Sequence, residues 1–139
     1  MSESIKYTTT LETRFSDLDP YGHVNSKHYL DYAINGRWLF FRDNFALEEK
    51  QFLEMGYGFF LLSAQMNFAL PIKGMQKILS SSWVVDDGAK VLTCPYQITT
   101  PDQSKTFSEG TLIFGVIDLK TNKVTQLPDD YRKYFFEDK

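Results

Sequence analysis

The segment from Ser26 to Phe45 constrains the fold more than any other. Its spacing is helical, and at about 100° per residue His28, Asp31, Asn35 and Arg42 share one narrow polar stripe. Tyr29, Leu30, Tyr32, Ala33, Ile34, Leu39, Phe40 and Phe41 cover most of the remaining circumference. A helix apolar nearly all round cannot simply lie on a surface; it has to be enclosed. Gly36, in its middle, costs about 1 kcal/mol relative to Ala, which is tolerable where another backbone passes close by. Arg37 falls inside the apolar arc, where a cation needs a carboxylate partner or a route to solvent.

The remainder reads as strands and turns. Tyr7 to Phe15 alternates, with Tyr7, Thr9, Leu11, Thr13 and Phe15 on one face, predicting a half-buried strand. It stops at Asp17-Leu18-Asp19-Pro20-Tyr21-Gly22, where Pro20 disfavours a helical Asp19 and Gly22 permits an unusual backbone angle, so a shaped loop leads into the helix. After a polar connection from Glu48 to Gly56, Phe60, Leu62, Ala64, Met66, Phe68 and Leu70 alternate against Ser63, Gln65 and Asn67. That pattern predicts a long strand ending at Pro71.

Three further strands are predicted, over Lys77 to Val85, Lys90 to Thr100 and Lys105 to Leu119, joined by Asp86-Asp87-Gly88 and Pro101-Asp102-Gln103-Ser104. Short turns imply antiparallel neighbours. The last strand is apolar on both faces and is expected in the middle of the sheet, whereas Pro95 suggests an edge or a bulge in the strand before it. The expected class is α+β: one long central helix wrapped by a curved antiparallel sheet of about five strands, because a flat sheet would leave the helix wet.

Composition then narrows the function. At 139 residues the chain suits a single domain spanning 1–139. A formal net charge of -3 gives no footprint for nucleic acid. No apolar run is long enough to span a membrane, and no apolar leader follows Met1. Cys94 is the one cysteine, which allows no internal disulfide and leads to the expectation of a cytoplasmic protein. It shares a strand face with Leu92, Tyr96 and Ile98, a core position rather than that of a nucleophile. With 12 Phe, 8 Tyr and 2 Trp, the chain has more bulky apolar groups than one enclosed helix needs, so at least a homodimer is expected.

The densest cluster of titratable residues is Asp17, Asp19, His23, Asn25 and His28, on the loop and first turn before the helix. A helix start offers unpaired N–H groups and a positive dipole end, suited to a developing oxyanion. Asp19 in such a place either attacks a carbonyl or activates water, while N–H groups near Ser26 polarise that carbonyl. The alternatives are structural: turn and cap roles for Asp17 and Asp19, an N-cap role for Asn25, loop hydrogen bonding for His23 and simple packing for Tyr29. The Asp/His spacing fits no common metal-ligand pattern, so no metal is expected. Gly-x-Ser-x-Gly, His-Glu-x-x-His and Walker motifs are missing from the sequence.

The run Asp17-Leu18-Asp19-Pro20-Tyr21-Gly22-His23-Val24-Asn25-Ser26-Lys27-His28-Tyr29 strongly resembles the hotdog-fold acyl-CoA thioesterases of the 4-hydroxybenzoyl-CoA thioesterase type, whose pattern there is Asp-x-Asp-x-x-Gly-His-Val-Asn-Asn-x-x-Tyr. Asn67-Phe68-Ala69-Leu70-Pro71 and the segment from Ile117 to Pro128 are similar to later parts of the same family. Ser26 replaces the second Asn of the pattern, and Asn35 stands where many relatives carry a helix Glu.

The resemblance implies a hotdog fold, homodimers that pair into homotetramers, and sites near the subunit interface. It makes Asp19 the catalytic carboxylate, with the helix-start N–H at Ser26 holding the thioester oxygen. Asn25 and His23 complete the expected catalytic set, and Tyr29, Gly22 and Asp17 are the expected substrate contacts. The expected activity is hydrolysis of an acyl-CoA, or a related acyl thioester, to a carboxylic acid and free thiol without a cofactor. The alternative is a non-hydrolysing hotdog protein that binds acyl groups or scaffolds a complex.

Overall fold

A computed structural model of the chain describes residues 2–85 and 90–138; the expected Asp86-Asp87-Gly88 turn lies outside them. The elements run β1 (Ser2–Ser4), β2 (Tyr7–Glu12), a 3-10 turn (Phe15–Asp17), α1 (Lys27–Phe45), α2 (Glu49–Met55), β3 (Tyr57–Phe68), β4 (Lys77–Ser82), β5 (Val91–Thr99), β6 (Thr106–Asp118), β7 (Lys123–Val124), a second 3-10 turn (Asp129–Tyr134) and β8 (Phe136–Asp138). Five strands form a curled antiparallel sheet in the order β2-β4-β5-β6-β3, with β7 beside β6. β1 and β8 pair separately. This is the hotdog arrangement of one helix held against a curled sheet.

The helix lies over β2, β4 and β5. Tyr29, Tyr32, Ala33, Gly36, Arg37 and Phe41 are buried, while Asp31, Asn35 and Arg42 on the polar stripe are exposed. Gly36 permits a close approach of α1 to β4. A Cβ there would stand 2.7 Å from Ser80 Oγ, and the Thr9 hydroxyl donates to the Gly36 carbonyl at 3.0 Å. The neighbour that needs the space is therefore a side chain of β4 rather than a passing backbone.

Four expectations about the strands and their connections are revised. The first strand ends at Glu12, not Phe15, because the Asp17 carboxylate accepts the Arg14 N–H at 3.1 Å and draws the chain into a 3-10 turn. The polar connection contains a short helix, α2, whose Glu48 N–H donates to Gln51 Oε1 at 3.1 Å and whose Phe52 ring meets Trp38 edge-on at 4.9 Å. Pro95 lies in a central strand. Its carbonyl faces the end of β4, accepting from Ser82 Oγ at 2.8 Å and Trp83 N–H at 3.3 Å, so its missing N–H falls on that side and leaves pairing with β6 intact.

The fourth revision concerns β3. Its register against β6 shifts between Leu61 and Ser63, so a bulge at Leu62 interrupts the alternation. Ala64 pairs with Leu112 and Phe60 with Gly115. Directly paired residues share a face, so Ala64, Met66 and Phe68 face inward with Leu112 while Phe60 faces outward.

Arg37 lacks the expected carboxylate partner and keeps only a narrow route to solvent. It is 6% exposed, and no carboxylate lies within ion-pair distance of it among the described residues. Instead its guanidinium lies over the Phe114 ring at 4.3 Å and near Tyr7 at 5.8 Å. Cys94 is fully buried, in the expected core position. Much of the aromatic content is used within the chain, where Phe135 joins Tyr7, Phe41 and Phe59.

Candidate active site

The loop between the first 3-10 turn and α1 holds two carboxylates in opposite circumstances. Asp17 is 1% exposed. Its Oδ2 accepts from the Tyr32 hydroxyl at 2.7 Å and from Arg14 Nε at 3.3 Å, its Oδ1 accepts from Arg14 Nη2 at 3.1 Å, and His28 Nδ1 stands 3.8 Å away. Burial alone would raise its pKa; the bonds from Tyr32 and Arg14 and the Arg14 charge outweigh burial and hold the carboxyl below its ordinary range.

Asp19 is partly exposed. Its Oδ1 accepts the backbone N–H groups of Tyr21 at 2.9 Å and His23 at 3.1 Å, an Asx-type turn, and all its side-chain hydrogen bonds to described residues go to that oxygen. Oδ2 is left for other work. Gly22, at φ +78, closes the turn by donating to the Asp19 carbonyl at 3.0 Å. The loop is anchored to the Ile72–Gly74 segment through Val24 N–H to Ile72 O at 2.8 Å and Gly74 N–H to Gly22 O at 2.9 Å.

A cavity of about 330 Å³ opens here, lined by Asp19, His23, Val24, Asn25, Ser26, Tyr29 and the Phe68–Pro71 segment. The structure thus brings together five of the expected site residues, Asp19, His23, Asn25, Ser26 and Tyr29. Asp17 and Gly22 are not among the lining: the first is turned into the protein by Tyr32 and Arg14, and the second shapes the turn. Sequence reasoning did not single out Phe68 and Leu70 as lining, although their strand end was the part of β3 similar to the family.

At the start of α1, the Asn25 side chain accepts the Lys27 N–H at 3.2 Å and the Asn25 carbonyl accepts the His28 N–H at 2.9 Å. Asn25 therefore supplies the capping oxygen, while Ser26 caps nothing with its side chain. The Ser26 N–H meets no acceptor among the described residues, and Ser26 lines the cavity. The 19-residue helix behind it adds the positive end of its dipole.

Tyr29 forms the floor. Its oxygen accepts the Ile72 N–H at 3.3 Å, its ring lies 5.2 Å from Phe68, and its hydroxyl donates to no acceptor among the described residues. Burial pushes its pKa above the ordinary value, against the lowering effect of the Ile72 bond, and the nearby Asp19 charge adds to the rise. No group of three or more His, Cys, Asp or Glu side chains among the described residues is placed to hold a metal ion.

A family model described as the thioesterase-like superfamily matches residues 13–135. The chain belongs to the thioesterase-like superfamily. A sequence search of curated proteins returns no match. Among solved structures, this thioesterase-like chain is similar to a 1,4-dihydroxy-2-naphthoyl-CoA thioesterase from Synechocystis, at TM-score 0.79 and 17% identity over 93% of this chain and 94% of that one. A probable thioesterase from Escherichia coli aligns at TM-score 0.75 and 22% identity, over 92% and 95%. A hypothetical protein from Staphylococcus aureus in complex with CoA aligns at TM-score 0.79 and 15% identity, over 94% and 82%. At these identities the likeness establishes the hotdog fold of the thioesterase-like chain.

Proposed function

We propose that the protein hydrolyses acyl-CoA thioesters, with Asp19 as the catalytic carboxylate. The observation that carries this reading is the presence in one cavity of Asp19, one of whose carboxylate oxygens has no partner among the described residues, and Ser26, whose N–H has none among them either. Asp19 Oδ2 takes a proton from water as the water oxygen attacks the thioester carbon. The Ser26 N–H and the helix dipole stabilise the oxyanion as it forms. The intermediate collapses with cleavage of the C–S bond, and the proton held by Asp19 passes to the departing thiolate. Asn25 fixes the geometry of the helix start, and Tyr29 and Phe68 contact the substrate beside the carbonyl.

The acyl group extends from the Asp19 cavity towards an apolar cavity of about 830 Å³ walled by Trp38, Leu39, Phe52, Tyr57, Phe59 and Phe60, a volume within the usual range for small-molecule sites. The CoA complex of the staphylococcal neighbour favours coenzyme A as the carrier. No resident cofactor takes part. β3 is an edge strand with Phe60, Leu62 and Phe68 exposed. Pairing of two such edges would extend the sheet, hide those side chains and set each cavity beside the neighbouring subunit.

Release of free thiol from a panel of aliphatic and aromatic acyl-CoAs tests the reading. Turnover of at least one panel member that is lost in Asp19→Asn supports it. Binding of several members with no thiol release would instead establish an acyl-binding module.

A further inference from the structure

Arg37 has a buried charge that nothing among the described residues neutralises. Its side chain is 6% exposed, and its Nε has no hydrogen-bond partner. The Phe114 ring at 4.3 Å and the Tyr7 ring at 5.8 Å face the guanidinium but carry no formal charge to balance it. A guanidinium in this condition is a ready receptor for an anionic group that reaches it.

The position of Arg37 indicates where such an anion would come from. Arg37 lines a small cavity with Ile34, Trp38, Phe41, Phe59 and Phe114. Trp38 and Phe59 also wall the large apolar cavity, so the two spaces adjoin. The small one, about 10 Å³, has room for one oxygen-sized atom. Along α1, Arg37 is eight residues beyond Tyr29, a rise of about 12 Å. It therefore stands well along the helix from the Asp19 cavity and cannot reach the thioester.

We propose that Arg37 is a specificity-determining residue that receives a terminal carboxylate on the acyl group, so that the preferred thioesters are those of dicarboxylic acids. This rests on the hydrolase reading of the Asp19 cavity. An acyl chain in the apolar cavity would deliver its last oxygen past Trp38 and Phe59 to the guanidinium. The desolvation of Arg37 is already built into the fold, so the incoming carboxylate gains a charge-assisted bond at the cost of its own dehydration.

Two measurements test it. The first compares kcat/KM for acyl-CoAs of equal carbon number with and without a terminal carboxylate, in the parent and in Arg37→Met. The parent should favour the carboxylated thioester by roughly tenfold or more, and the ratio should collapse in the variant. Equal values in the parent, as expected if a water occupies the small cavity, would overturn the proposal, as would a preference that survives in Arg37→Met. Should Arg37→Met not fold, Arg37→Lys keeps the charge but loses the planar fork, and the ratio should fall there too.

The second measurement is calorimetric binding of the free dicarboxylic acids against the monocarboxylic acids of the same length to the parent protein and to Arg37→Met. It does not depend on turnover. If no thioester is hydrolysed the hydrolase reading fails, yet preferential binding of the dicarboxylic acids that is lost in Arg37→Met would still support the role of Arg37; equal binding, or a preference kept in that variant and so owed to Arg42 at the large cavity, would end it.

Discussion

The Tyr32 hydroxyl donates to Asp17 Oδ2 at 2.7 Å across fifteen residues of sequence. With Arg14 on the other side, it ties the loop to the first turns of α1 and turns one of the two loop carboxylates inward. The second, Asp19, is then presented on a loop whose base is held by that buried group.

Asp19→Asn should lower kcat/KM by about 10²–10⁴-fold with little change in melting temperature. The amide keeps an Oδ1 to accept the Tyr21 and His23 N–H groups, so the turn survives and only the base is lost. Thiol-release kinetics alongside a thermal melt check this, and parent-like turnover would remove Asp19 from the mechanism.

Asp17→Asn should act in the opposite way, costing about 2 kcal/mol of stability through the bonds from Tyr32 and Arg14 while affecting turnover less than Asp19→Asn does. Urea denaturation provides the measurement. An unchanged midpoint would mean that the buried carboxylate is not what holds the loop.

Acid should expose the same group. The folded-state pKa of Asp17 is lowered, so its contribution is present above the unfolded value and is lost as pH falls through the folded one. Stability should therefore decline below about pH 4, and the decline should be shallower in Asp17→Asn. Parallel curves for the two proteins in stepped-pH denaturation would contradict this.

Gly36→Ala should destabilise despite the better helix propensity of Ala. The new methyl would stand 2.7 Å from Ser80 Oγ and 2.9 Å from Ser80 Cβ. The gain of about 1 kcal/mol is smaller than the upper range of overpacking costs, about 1–3 kcal/mol. A net loss of about 1 kcal/mol is expected in denaturant titration, and a more stable variant would show that α1 can shift away from β4.

Assembly should be measurable at the β3 edge. Light scattering should give at least a dimer at micromolar concentration. Leu62→Lys, which places a charge on the exposed edge, should lower the dimer fraction and the activity together. A fully active monomer under assay conditions would refute both the pairing and the placement of the cavity beside a second subunit.

The enclosed helix, the antiparallel sheet and the central place of β6 were legible because each follows from a pattern within one segment. The helix α2 was not, since only Phe52, Leu53 and Met55 interrupt its polar run and its Glu48–Gln51 pair is short. The bulge at Leu62 was hidden by apolar residues on both sides of the slip, which made the alternation look continuous from Phe60 to Leu70. Within the site, the residue types and the helix start marked the Asp19 loop. The inward turn of Asp17 depends on Tyr32, and the isolation of Arg37 depends on what the sheet places around it; both are long-range matters that spacing along the chain does not carry.

The slip at Leu62 divides β3 into two segments of independent phase. Tyr57, Phe59 and Phe60 serve the large apolar cavity, whereas Phe68 serves the Asp19 cavity. Each half takes its phase from its own pairing with β6, so side chains before the slip and after it are assigned to their faces separately. Substitution before the slip would reshape the large cavity while the Asp19 cavity stays in place, giving one strand two separately adjustable halves.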